Sequence, residues 1–372
     1  MKVLSSMSLL EDLAGQYVLR PGQNPSLAGH RPVVQAGTLA RLLRGQSGAG
    51  LVRILGSLFT LCSHAHQRAA ALAWNAACPL ADPLPIAPRV LLRLETARDH
   101  LRSMALDWPR RLALDAQQAQ GLRCLVASPL MSPSTTGMTT EQAGLWLGQL
   151  RGWLNGFEQA NADTVATVGM ASPLLVLQDW HALAQGLSPA LNRLDLLHPD
   201  AQEQALRLRE LAQAMLADLA FVQHPTWRGE CAETGAWTRL RHRQHKPSPS
   251  LSAWSRLSAR WNEVQEIARA DPLPQDAPQD PLLSCGALAL GEGSALAWCE
   301  MARGLLLHWV RVDACGIVVD YRVLAPTEWN FHPQGALARA LAEVPSDDVR
   351  SARCLAAAFD ACVDCRIESA AP

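Results

Sequence analysis

The chain has 372 residues, 49% of them hydrophobic and 18% charged, so it can bury a sizeable core and wholesale disorder is excluded. Its formal net charge of −1 exerts no global pull toward nucleic acid or anionic lipid, and neither is expected as a partner. The length suits two domains or one large fold.

The opening Met1–Ala14 carries one Lys and a short apolar run cut by Glu11 and Asp12, which fails as a secretory signal. No apolar stretch reaches the roughly eighteen residues a bilayer crossing needs, so no membrane insertion is expected. Ten cysteines lie scattered from Cys62 to Cys365, a spacing that suits reduced thiols in the cytoplasm better than a disulfide framework.

Abundant Ala and Leu predict a mainly helical chain. Cys62-Ser63-His64-Ala65-His66 falls on a predicted helix, where one turn separates the Cys62 thiol from the His66 imidazole and puts both on one face. Taken alone, that is also the pattern of a partly buried cysteine beside two ordinary histidines. Pro-rich breaks follow at Pro79–Pro88, Lys246–Ser250 and Asp271–Pro281. Asp200 and Glu203 form a capping box, after which Leu208, Leu211, Met215 and Leu219 share one helical face. The basic run Arg239–Lys246 reads as a solvated cluster rather than a nucleic-acid patch. Beyond Pro281 two β-rich runs, Arg303–Val312 and Ile317–Leu324, flank the turn Asp313-Ala314-Cys315-Gly316 and predict a hairpin. A last helix is predicted with Ser346 as its cap, Asp347 and Asp348 in its first turn, and Val349, Ala352, Ala356 and Phe359 buried. It ends at Asp360, directly before the one close cysteine pair, Cys362-Val363-Asp364-Cys365.

A lone CxxC lacks the second pair a zinc ribbon needs, and it follows a helix where a thioredoxin-like dithiol precedes one. No phosphate-binding loop, zinc-protease or dinucleotide motif occurs. In order, however, Pro225–Arg239 (PTWRGECAETGAWTR) resembles a block of the nickel–iron hydrogenase large subunit. Glu300-Met301-Ala302-Arg303-Gly304 is similar to its EAPRG, Pro326-Thr327-Glu328-Trp329-Asn330 to its PTxWN, and Asp360–Cys365 to its C-terminal DPCxxC. Phe59–His66 resembles the N-terminal CGxCxxxH, with Phe59 in place of the first cysteine. Ala28-Gly29-His30 resembles EGH, with Ala28 in place of the glutamate.

The resemblance implies a fold and a site. The fold would be a large-subunit-like helical bundle with a small β-hairpin or sheet element near the C-terminus. Residues 1–280 would carry the Cys62 half-site and 281–372 the CxxC half-site, packed as one unit. Cys62, Cys362 and Cys365 are the implied metal ligands, with their sulfurs converging beside Arg303. Arg303 would face cyanide ligands on iron, His66 would hydrogen-bond a thiolate, and Asp360 and Glu300 would support the site from behind, Glu300 like Glu233 through an ion pair. In the resembled enzymes the second cysteine of each pair bridges nickel and iron. Cys62 and Cys365 inherit those bridging places, which ranks them above Cys362. With one nickel thiolate lost at Phe59, the proton-passing glutamate lost at Ala28 and only a short segment after Cys365, the pattern argues against a hydrogenase and against nickel.

The best match is the HupK/HoxV-type accessory family of hydrogenase maturation. It implies a non-catalytic, cytoplasmic scaffold that carries an iron–cyanide–carbonyl unit transiently and works with other maturation factors and the large-subunit precursor. The alternatives are a metal-free chaperone or oxygen-protection factor for that precursor, or a zinc or redox dithiol protein.

Overall fold

Residues 15–34, 37–131, 138–163, 172–189, 192–243, 251–273 and 279–369 are described by a computed structural model of the chain. The segment Met1–Ala14, the break Lys246–Ser250, the end of the basic run and the centre of the 271–281 loop lie outside these residues.

Helices dominate, as the Ala and Leu content predicts. Those that position the site are α1 (Gly48–Leu58), α2 (Ser63–Ala77), α3 (Arg89–Arg102), α4 (Thr140–Asp163), α5 (Ala201–Ala217), α6 (Ala253–Arg269), the short α7 (Pro326–Asn330) and α8 (Val349–Phe359). α3 is buried nearly all round, although its sequence RVLLRLETARDHLR alternates apolar and charged residues. Its charges are therefore obliged to find partners inside the protein. α5 begins where predicted, with the Asp200 carboxylate accepting from the Glu203 N–H at 2.8 Å. Leu208, Leu211 and Met215 are buried, but the helix stops at Ala217 and Leu219 is exposed. α8 is capped by Asp348, which accepts from the Ser351 N–H at 2.9 Å, and not by Ser346 two residues earlier. Ala352, Ala356 and Phe359 are buried as expected, while Val349 is only half-buried.

The β content exceeds the predicted hairpin. β3 (Cys285–Gly291), β4 (Ser294–Met301), β5 (Gly304–Val312) and β6 (Val318–Leu324) form an antiparallel meander in sequence order. The β5–β6 turn at 313–316 stands where expected, closed by the Gly316 N–H to the Asp313 carbonyl at 3.0 Å. One face of this sheet packs on α1 and α2, the other on α5. A second sheet joins distant parts of the chain. β1 (Gln16–Leu19) pairs antiparallel with β2 (Leu27–His30) and parallel with β7 (Asp364–Ile367), so that Tyr17 stands opposite Cys365. Residues before and after Pro281 are thus interleaved, by β1 with β7 and by α2 against the meander. Among the described residues no single helix is long and apolar enough to cross a membrane.

Candidate functional site

The sequence blocks meet. Arg303 occupies the two-residue turn between β4 and β5, in which Met301 pairs with Gly304. Gly304 has φ +135°, and a Cβ there would stand 2.6 Å from the Thr234 side chain, so only glycine lets the 234–235 loop approach. Thr234 Oγ1 accepts from the Leu305 N–H at 3.0 Å. Its own N–H donates to Asn330 Oδ1 at 3.0 Å, and Asn330 Nδ2 returns a bond to the Thr234 carbonyl at 2.8 Å. From α7, Thr327 Oγ1 shares a hydrogen bond with Cys362 Sγ at 3.1 Å. Glu233 makes a buried pair with Arg256 at 2.7 Å.

At the centre lies a buried ionic cluster. Arg303 Nη1 donates to Asp99 Oδ2 of α3 at 2.5 Å, and its Nε stands 3.6 Å from Asp360 Oδ2. Asp360 caps α8 in the left-handed region, with φ 49°. It accepts from Arg111 at 2.6 Å and Ser103 at 3.0 Å, and faces Arg260 at 3.8 Å. Burial works to raise the Asp360 pKa, but Arg260, Arg303 and Arg111 outweigh it and hold the carboxyl below its usual range. Burial likewise opposes the Arg303 charge, yet Asp99, Asp360, Cys362 and Cys62 push its pKa up. Three guanidiniums (Arg111, Arg260, Arg303) against two carboxylates (Asp99, Asp360) leave one positive charge in excess. Alongside, Arg31 pairs with Glu328 of α7 at 3.1 Å, both buried. Burial lowers the Arg31 pKa, and Cys362, Glu328, Tyr17 and Cys62 more than reverse it.

Cys62 ends a 3₁₀ turn, Thr60–Cys62, and stands at the N-cap of α2 rather than on the helix. Glu95 of α3 covers that helix start, accepting from the His64 and Ala65 N–H groups at 2.7 and 3.0 Å. Burial lifts Glu95 to about 8, despite those two bonds. Burial, with Glu95, Cys362 and Asp99, also pushes the Cys62 thiol well up, while Arg303 works against the shift. Cys62 and Cys362 thus lie in one electrostatic neighbourhood with Arg303 and Arg31. Cys365, on β7, is pushed up to about 12 by burial, against Arg111, and it senses Cys362. The fields of Cys62 and Cys362 both reach Arg303 and Arg31. Among the described residues no three His, Cys, Asp or Glu side chains are grouped closely enough to hold a metal ion by themselves.

His66 does not turn to Cys62. Its ring stacks on Phe59, centroids 3.7 Å apart and planes within 5°, and Nδ1 shares a hydrogen bond with His308 Nε2 at 3.0 Å. His308 Nδ1 in turn meets Tyr321 OH at 2.6 Å. An aromatic stack and a sheet histidine therefore claim the ring that the thiolate was expected to hold. Glu300 accepts from the Ser284 N–H at 2.8 Å and acts on Arg239 through its charge.

Sequence reasoning missed Asp99, Glu95, Arg31, Glu328 and the His66–His308–Tyr321 chain. No local signal marked the first two: Glu95 and Asp99 stand one turn apart on a helix with six charged residues in fourteen, the composition of a surface helix, and only the fold buries them. Arg31 directly follows Ala28-Gly29-His30.

The fold is one shared with hydrogenase large subunits. The structure of the Ni-Fe-Se hydrogenase from Desulfovibrio vulgaris Hildenborough matches with a TM-score of 0.53 over 90% of this chain and 92% of that one, at 15% identity. The NAD+-reducing [NiFe]-hydrogenase matches at 0.52 and 13% identity over the same shares. No protein-family profile matches.

Whole-length relatives are more specific. The hydrogenase expression/formation protein HoxV of Cupriavidus necator is 38% identical over 96% of both chains. HupK of Bradyrhizobium diazoefficiens is 32% identical and HupK of Rhizobium leguminosarum bv. viciae 30%, each over 87% of this chain and 88% of the relative. The chain belongs to the HoxV/HupK family of hydrogenase expression/formation proteins.

Proposed function

We propose that the protein is a non-catalytic maturation factor for nickel–iron hydrogenase, which receives an iron–cyanide–carbonyl unit as cargo in the Cys62–Cys362–Arg303 pocket and passes it on. The observation that carries this reading is the chemistry of the pocket. It joins two soft thiols to a surplus of guanidinium charge, and two of its buried donors, Arg303 Nε and Arg31 Nε, have no hydrogen-bond partner. A buried donor without a partner costs about 1–3 kcal/mol, which an arriving acceptor relieves. Cyanide nitrogens are such acceptors, and they carry negative charge toward planar cationic donors. An iron that brings its own diatomic ligands needs few from the protein, so two thiolates suit it better than they suit a bare ion, with Cys365 next in reach. Phe59, where the resembled enzymes carry a nickel thiolate, disfavours nickel. The unit would come from other maturation factors and go to the large-subunit precursor, in the cytoplasm.

Infrared spectroscopy of protein purified anaerobically from cells making the hydrogenase tests this reading, because cyanide and carbonyl stretches fall where protein is transparent. Bands are expected in the wild type, lost in Cys62→Ser and in Cys362→Ser with the fold kept. A wild type that supports hydrogenase formation yet never shows the bands leaves the metal-free chaperone.

A further inference from the structure

Another thiol pair lies apart from this pocket. Cys285 and Cys299 stand directly opposite on β3 and β4, and both point into the core under α2. The neighbouring pair is hydrogen-bonded, through the Glu300 N–H to the Ser284 carbonyl at 2.8 Å. Ladder bonds alternate in an antiparallel sheet, so Cys285 and Cys299 form a non-hydrogen-bonded pair, the geometry in which facing side chains stand closest. Their Cα separation is then about 4.5 Å, inside the range a disulfide spans. Arg68 of α2 donates from Nε to Cys285 Sγ at 3.1 Å and holds the Ala87 carbonyl with Nη1. Arg89 acts on the same sulfur through its charge, and its Nη1 is buried without a partner. Two guanidinium charges around a dithiol repel a metal cation and favour a thiolate. Consistent with this, the Cys299 thiol's hydrogen bond lowers the Cys285 pKa, opposed by burial and helped by Arg68, while burial drives Cys299 up. The two thiols thus divide the roles. Cys285 is the thiol that Arg68 holds, on an edge strand, and it keeps the pair's only exposure, 6% against 0% for Cys299.

We infer that Cys285 and Cys299 are a peroxide-reactive dithiol, in which Cys285 is the attacking thiolate, Cys299 the resolving thiol and Arg68 the group that holds the anion. The oxidant is hydrogen peroxide or a small hydroperoxide. Cys285 sulfur attacks one peroxide oxygen: the S–O bond forms, the O–O bond breaks, and the departing oxygen takes a proton to leave as water or alcohol. Cys285 is now a sulfenic acid, oxidised by two electrons, and the peroxide is reduced. Cys299 gives up its thiol proton and attacks the Cys285 sulfur. The S–S bond forms, the S–O bond breaks, and hydroxide leaves with that proton as water.

The full-length protein, treated with equimolar hydrogen peroxide, denatured in an alkylating agent and digested, reports the outcome by peptide mass. A Cys285–Cys299 linked peptide is expected to form at least tenfold faster than exposed Cys315 is oxidised. In Cys299→Ser, dimedone should label Cys285, since the sulfenic acid has nothing to resolve it. Arg68→Met, checked for a native circular dichroism spectrum, should slow the linkage about tenfold. Arg68→Lys, which keeps the charge, should be intermediate. If Cys285 and Cys299 remain alkylatable while the other cysteines oxidise, or if Cys299→Ser gives no adduct at Cys285, the dithiol has no such reactivity. An undiminished rate in folded Arg68→Met overturns the role given to the arginine.

Discussion

The two sides of Cys62 are built on opposite principles. Toward α3 and the β4–β5 turn it meets ions: Arg303, Asp99, Asp360 and the Arg31–Glu328 pair, all buried and mutually dependent. Toward the sheet it meets neutral rings, Phe59 stacked on His66 and then His308 and Tyr321, where burial keeps the histidines uncharged. The ionic side offers guanidinium charge to an anionic ligand, whereas the neutral side presents an apolar ring face beside the thiol.

Substitution at the ionic side should cost most. Arg303→Met leaves Asp99 and Asp360 buried beside too little positive charge, and stability should fall by about 3–5 kcal/mol in denaturant unfolding. Arg303→Lys keeps the charge but loses the planar fork, so it should retain most of the stability and still weaken loading of the iron unit. Equal stability of Arg303→Met and wild type would mean the cluster is not the ionic core described here.

On the neutral side, Phe59→Cys removes a ring that is 7% exposed and should cost on the order of 2–3 kcal/mol. It should also raise nickel affinity, measured by equilibrium dialysis, by supplying the thiolate the ring displaces. A variant that folds and binds no more nickel than wild type would show that Phe59 does not stand in for a ligand.

The smallest effect sharpens the contrast through pH. Burial pushes His308 down to about 3, and burial, His308 and Arg31 push His66 well below its ordinary value. Both stay neutral in the folded protein while the unfolded chain takes up protons near pH 6.5. The unfolded state therefore binds more protons below that pH, and stability falls from about pH 6.5 toward 3. The limit is ~1.4 kcal/mol per pH unit for each histidine. His308→Gln should make that loss shallower by one histidine in thermal melts across pH 4–7. An unchanged slope would mean the ring is already charged when folded.

The sequence made the order of the motif blocks plain, because each block keeps residues whose chemistry is distinctive, but the bonds by which Thr234 ties Leu305 to Asn330 were not foreseen. α5 and the β5–β6 turn were legible from local signals, an Asp–Glu cap and Asp313–Gly316. β3 and β4 were not, since CGALALG and SALAWCEM are rich in Ala and Gly, which have little strand propensity, and only cross-strand packing makes them strands. β1, β2 and β7 are four residues each and exist only through one another. The partner of His66 was misread because helical spacing tells which residues share a face and says nothing of what lies opposite: one turn from Cys62 was also within reach of Phe59 and a sheet not yet placed.

The parallel pairing of β1 with β7 has a bearing on synthesis. Tyr17 leaves the ribosome long before its neighbour Cys365, so the β1–β2 ribbon must wait with one edge unpaired until nearly the whole chain has emerged. The pocket beside it can close only then, because Cys362 and Asp360 arrive on the same late stretch.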